Sequence, residues 1–93
     1  MIRTEGDRVE VSGPMTMSGA AALLAEGEAA IAAHASVFDL AAVTDLDSSC
    51  LAVVFGWMRA AKAGGKSLRL VNPPQNLLSL AAVYGVADLL PQT

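Results

Sequence analysis

The residues best placed to do chemistry are consecutive: Asp47, Ser48, Ser49 and Cys50 follow a short apolar segment and precede an apolar helical pattern. Asp and Ser are typical of helix starts, because their side-chain oxygens accept hydrogen bonds from the free backbone N–H groups there. The same end of a helix carries partial positive charge. The position therefore predicts exposed serine hydroxyls, and a phosphate attached to one of them would be stabilised by the amides and the helix dipole.

Catalysis is not favoured by these residues. A serine nucleophile needs a base, and the only histidine, His34, lies far from the serines in sequence, at the end of a predicted helix. One His and one Cys do not make an ordinary zinc site. Asp45 and Asp47 are predicted to form a turn and a cap, with an acid–base pair or a cation site as the alternative. Cys50 is predicted to pack closely, with a thiol of lowered pKa as the alternative. We therefore predict a protein without enzymatic activity, metal or cofactor.

Apolar periodicity and the positions of Gly and Pro predict the elements that hold these residues. A hairpin is predicted over residues 2–5 and 9–12, ending at Pro14, and a helix over 17–35. There follow a strand over 37–40, a central helix over 48–63, a strand over 67–71, a last helix over 75–84 and an unassigned tail over 88–91. This order is typical of one α/β domain, residues 1–93, in which a small mixed β-sheet with an N-terminal hairpin carries about three helices.

Composition narrows the class of partner. The net charge is −3, no long basic run occurs and aromatic residues make up 4% of the chain, which argues against nucleic acid. The longest strongly apolar window, Leu51–Met58, is shorter than the ~20 residues that span a bilayer, and no apolar signal region opens the chain. A single Cys agrees with a reducing compartment. We predict a cytoplasmic protein that meets a membrane only through a partner.

The central helix is apolar on two sides. The side predicted to pack on the sheet carries Leu51, Val54, Phe55 and Met58. The opposite side is apolar too, and such a helix is either buried on both sides or meets a partner. We therefore predict a partner-binding surface with Trp57 as its anchor. Its predicted members are Asp47, Ser48, Ser49, Ala52, Val53, Gly56, Trp57 and Ala60. The alternatives are that Val53 and Trp57 fold back onto the domain, or that they form a homodimer.

Four of the six cations lie within eleven residues: Arg59, Lys62, Lys66 and Arg69. Cations near the end of a helix are stabilised by its dipole, and this is the favoured interpretation. The alternative is a patch that binds an acidic partner or lipid head groups.

The motif Asp47-Ser48-Ser49-Cys50-Leu51 resembles the Asp-Ser-Ser-Gly-Leu motif of the STAS domain family, with Cys50 in place of the glycine. Residues 64–74 resemble the next strand and loop of that family, and residues 77–90 resemble its last helix and closing segment. The resemblance covers the whole chain and implies a STAS-like fold.

Two branches of the family contain free-standing domains of this size. One is the STAS subunit of the Mla-type ABC phospholipid transporter, which binds the cytoplasmic ATPase of a system that maintains outer-membrane lipid asymmetry. The other is the anti-sigma factor antagonist, which binds a serine kinase and is switched off by phosphorylation. Ser49 matches the acceptor of the antagonists, and Ser48 matches a hydroxyl kept in the transporter subunits. The resemblance favours the transporter subunit, because of the loop at residues 70–74 and the ending at residues 83–86, and because the apolar outer side of the central helix suits a stable subunit contact. The bulk of Cys50 beside Ser49 weakens the antagonist interpretation, since it hinders a kinase.

Overall fold

The computed structural model describes residues 1–90, so the last residue of the predicted tail, Pro91, and the end of the predicted domain lie outside the described residues. The chain folds into four strands and three α-helices, with short 3-10 helices at Met17–Gly19 and Ala87–Leu89. The strands are β1 (Ile2–Glu5), β2 (Arg8–Met15), β3 (Val37–Leu46) and β4 (Arg69–Val71). The helices are α1 (Ala20–Ala32), α2 (Ser49–Ala63) and α3 (Gln75–Val83).

The sheet is mixed, as the sequence predicts. Its strand order is β1-β2-β3-β4, with β1 antiparallel to β2 and the two other pairs parallel. Gly6 turns the N-terminal hairpin at φ 64°, a conformation that glycine adopts without strain. Both β2 and β3 are longer than predicted. Pro14 lies inside β2 instead of ending the hairpin, because the register with β3 shifts between Gly13 and Pro14, and a proline is tolerated at such an irregularity.

The core lies between one face of the sheet and the helices. Alternate residues of β2 point into it, as the two-residue period of a strand requires. The strand side chains buried there are Val9, Val11, Met15, Phe38, Leu40 and Leu70. The helices contribute Leu23, Ile31, Leu51, Val54, Trp57 and Leu77, all buried.

Helix α1 covers the side of α2 that the sequence analysis assigned to a partner. Trp57 has an exposed fraction of 0% and Val53 of 3%, and Gly56 is buried against the Leu24 side chain of α1. The Trp57 indole N–H donates to the carbonyl oxygens of Leu23 and Leu24 at 3.2 and 3.3 Å, and its ring centroid lies 4.7 Å from that of Phe38. The prediction that Val53, Gly56 and Trp57 face a partner or form a homodimer is therefore wrong.

The other apolar side of α2 is less deeply buried than predicted. Phe55 and Met58, predicted to pack on the sheet, are only half-buried. Of the two apolar sides of α2, the side that packs against α1 is the more completely buried. Its anchor is a large indole, and Gly27 of α1 leaves the space that this ring occupies.

Asp39 stabilises an irregularity in β3. Between the pairs Glu10–Asp39 and Ser12–Ala42, two residues of β3 lie opposite one residue of β2, which is a β-bulge. The Asp39 carboxylate accepts hydrogen bonds from the Ala41 amide at 2.9 Å and from the Asn72 side chain at 3.1 Å. It also pairs with Arg8 at 2.7 Å. The Ala41 amide, followed by Asn72 and Arg8, holds the pKa of Asp39 below its usual range, against the opposing effect of burial.

We expect Asp39→Ala to lower the free energy of unfolding at neutral pH by about 2 kcal/mol, because three hydrogen bonds to a charged group are lost. The folded-state pKa is depressed. The contribution of Asp39 is therefore fully present above the unfolded value of ~3.9 and is lost as the pH falls through the lower folded value. Urea unfolding at neutral pH and at pH ~3 should show a smaller pH dependence for Asp39→Ala than for the wild type.

Glu28→Ala, which removes an exposed carboxylate of α1, is the matched control and should leave both the stability and its pH dependence unchanged. A pH dependence in Asp39→Ala as steep as that of the wild type would contradict this account of the bulge.

Candidate partner-binding surface

The start of α2 is held by Asp47. Its Oδ1 accepts a hydrogen bond from the Ser49 amide at 2.9 Å, and its Oδ2 accepts one from the Met17 amide at 3.1 Å. One carboxylate therefore joins the beginning of α2 to the segment that leads into α1. These two amides, with Met17 the stronger, hold the pKa of Asp47 below its usual range. Asp47 thus acts as a cap, as predicted, and its oxygens are already engaged within the domain.

The two serines differ in exposure. Ser48 takes the N-cap position with helical backbone angles, φ −61° and ψ −18°, and its side chain makes no capping hydrogen bond. Ser48 is exposed, whereas Ser49 is half-buried behind it. Asp47 has taken over the capping role, so the Ser48 hydroxyl is presented to solvent at the positive end of α2.

An open cleft of about 510 Å³ lies between the start of α2 and the outer side of α3, and we call it the α2–α3 cleft. It is lined by Leu46, Asp47, Ser48, Asn76, Ser79, Leu80, Val83 and Tyr84. Val83 and Tyr84 are 80% and 59% exposed. Two adjacent large apolar side chains on the surface, beside an exposed hydroxyl, are typical of a protein contact.

Sequence reasoning missed the α3 half of this cleft. The helical pattern of α3 did carry a signal, since Leu77 and Ala81 are four residues apart and are both buried. Val83 lies off that face, and an apolar residue away from the core side of a helix indicates a second contact. Leu80 is half-buried against the core, and Tyr84 is exposed just after the end of α3. Of the other predicted members, Ala52 is exposed one turn after Ser48, and Ala60 is half-buried further along α2.

Cys50 is fully buried at the first turn of α2. Burial, followed by the nearby charge of Asp47, raises the pKa of its thiol to about 11. The thiolate form is therefore disfavoured at neutral pH, and the complete burial of Cys50 supports a packing role. His34, at the end of α1, is exposed and has a positive φ of 78°. Within residues 1–90 no three His, Cys, Asp or Glu side chains lie close enough together to hold a metal ion.

A protein family and several solved structures are similar to this chain. A family model described as "Mlab, STAS domain" matches residues 2–91. No curated protein sequence matches the chain. None of the helices within residues 1–90 has the length and the apolar character needed to cross a membrane.

Solved structures share the fold at low identity. The anti-sigma factor antagonist SpoIIAA in its unphosphorylated form is 19% identical over 86% of this chain and 78% of that one, with a TM-score of 0.65. A protein of Thermotoga maritima assigned as an anti-sigma factor antagonist is 13% identical over 99% and 83%, with a TM-score of 0.71. A larger protein, Mglu, is 24% identical over 81% of this chain and 19% of its own, with a TM-score of 0.58.

Proposed function

The chain belongs to the STAS domain family, and from this premise we propose that it is a non-enzymatic subunit of a bacterial ABC phospholipid transporter. In this proposal it binds the transporter ATPase through the α2–α3 cleft, supports its activity, and lies at the cytoplasmic face of the inner membrane through that contact. The transporter maintains the lipid asymmetry of the outer membrane. The observation that carries the proposal is the exposure of Val83 and Tyr84 beside the exposed hydroxyl of Ser48.

The chemistry of the cleft suits a lasting contact. Burying a large apolar side chain contributes about 1.5–3 kcal/mol, so Val83 and Tyr84 are able to act as anchors at the centre of an interface. Ser48, Asn76 and Ser79 supply polar groups around them. Permanent complexes have more apolar interfaces than transient ones, and the description of the matching family supports the transporter branch.

The second candidate function is that of an anti-sigma factor antagonist, which binds a serine kinase and is switched off by phosphorylation of Ser49. It is supported by the fold shared with one antagonist and with a second protein assigned as an antagonist. The local geometry disfavours it. Ser49 is half-buried, and the Asp47 carboxylate is bound to its amide at 2.9 Å, so a phosphate on Ser49 would meet like charge.

Purification of the native complex decides between the two. We expect an ABC ATPase and a membrane permease to co-purify in fixed proportion with an affinity-tagged copy expressed at its natural level. Mass spectrometry should show that Ser48 and Ser49 are unmodified. Isolation of a serine kinase together with a phosphorylated Ser49 would overturn the proposal in favour of the antagonist.

A further inference from the structure

A second cleft, which we call the basic cleft, lies beside the C-terminal half of α2. It has a volume of about 530 Å³ and is lined by Phe55, Met58, Arg59, Lys62, Lys66, Leu68 and Leu89. Ser48 and Arg59 are eleven residues apart, or roughly 16 Å along the helix, so this cleft and the α2–α3 cleft lie at opposite ends of α2.

Charge is segregated in this cleft. The chain as a whole has a net charge of −3, yet three of its six Lys and Arg residues line the cleft and no acidic residue does. The ion pairs found within residues 1–90 join Arg3 to Glu10 and Arg8 to Asp39, so none involves a cation of the cleft. Lys66 donates to the Ile31 carbonyl oxygen at 2.7 Å, and Arg59 and Lys62 are exposed.

The helix dipole does not account for the whole arrangement. It stabilises Lys62, which is in the last turn of α2, but it gives no reason for the apolar floor under the cations. That floor contains Phe55 and Met58, three residues apart, beside Arg59 and Lys62, which are also three residues apart. Each cation lies four residues after an apolar residue, so the basic pair follows the apolar pair by one turn on the same face of α2.

We propose that the basic cleft binds an acidic amphipathic helix of a partner protein. The cleft is open to solvent and partly apolar, and helix-binding grooves of this kind take apolar anchors at positions i, i+3 and i+4 of the bound helix. Acidic side chains on the flank of that helix would face Arg59 and Lys62. The chemistry of the occupant follows from the charge of the cleft, because an acidic flank is the complement of a rim that carries only cations. This contact is separate from the α2–α3 cleft and does not depend on it.

The test uses two fluorescein-labelled synthetic peptides of about 18 residues, one with Leu on one face and Glu on its flanks, the other with Lys in place of every Glu. Fluorescence anisotropy with the full chain at ~20 mM salt should show binding of the acidic peptide only, and the affinity should fall at ~300 mM salt. Lys62→Glu should weaken binding about fivefold to tenfold. Arg3→Glu, the same charge change on β1, and Val83→Asp in the α2–α3 cleft should each change it by less than about twofold.

Equal binding of both peptides, or an unchanged affinity in Lys62→Glu, would overturn the proposal. So would a dimer of the free chain that light scattering detects and Lys62→Glu dissociates, because a second copy would then occupy the cleft. The chain could instead sediment with phosphatidylcholine–phosphatidylglycerol vesicles and bind neither peptide. If Lys62→Glu abolishes that sedimentation, the cleft is assigned to a lipid surface. Loss of this site leaves the transporter proposal standing, since the two clefts are probed by different variants.

Discussion

Gly27→Ala is expected to destabilise the domain by about 2–3 kcal/mol, although alanine is the better helix former by about 1 kcal/mol. A Cβ at Gly27 of α1 would overlap the Trp57 indole, whose ring atoms are the nearest neighbours of that position. The indole ring cannot move away from the added methyl group. Its N–H is bound to the Leu23 and Leu24 carbonyl oxygens and its ring packs on Phe38, so α1 and α2 must separate instead.

The measurement is urea unfolding followed by the fluorescence of Trp57, the only tryptophan in the chain, with far-UV circular dichroism as a second signal. The expected loss corresponds to a melting temperature about 10–20 °C lower for a domain of this size.

Gly56→Ala is the matched control, because it adds the same methyl group to the same helix pair from the other side. There the new Cβ would meet the end of the Leu24 side chain at 2.5 Å, and Leu24 is half-buried and has other rotamers available. The better helix propensity offsets part of that crowding, so the net change should stay within about 1 kcal/mol. Equal losses in the two variants would contradict the assignment of the Gly27–Trp57 contact as the rigid point between α1 and α2.

Val83→Asp is expected to lower the affinity of the chain for the ATPase partner that we propose by about 30-fold or more, the loss typical of a central anchor residue. Val83 is 80% exposed on α3, so a charge there costs the free domain little. In the complex the same carboxylate would have to be buried against an apolar surface, which is strongly unfavourable for an unpaired charge. The affinity of the purified ATPase for the wild-type and variant chains, measured by calorimetry, checks this result.

Ala22→Asp provides the control for that experiment. It adds the same charge to an exposed position of α1, away from the α2–α3 cleft, and should leave the affinity within about twofold. Both variants should remain folded, with melting temperatures within about 5 °C of the wild-type value. If the ATPase binds the Val83→Asp and Ala22→Asp chains equally well, the α2–α3 cleft is not the interface.

Local sequence information was sufficient for the elements and for half of the candidate site. Gly6 and the alternating residues around it indicated the hairpin, and Gly64 ended the central helix where the pattern predicted. The Asp47-Ser48-Ser49 motif indicated a helix start, because capping depends on groups within a few residues of one another. Asp47 performs that capping, and Ser48 is exposed. The α3 half of the cleft, with Val83 and Tyr84, was not predicted.

The sequence by itself determined that this chain is a small mixed α/β domain whose central helix has a serine at its N-cap. Only the tertiary structure decided which side of that helix is covered. The hydropathy of α2 could not decide it, because no charge occurs on α2 before Arg59 and its periodic pattern therefore has no polar side to mark the solvent. Helix α1 covers the Trp57 side of α2, because Gly27 leaves room for the indole ring. Gly27 and Trp57 are thirty positions apart, so a local sequence pattern cannot predict this contact.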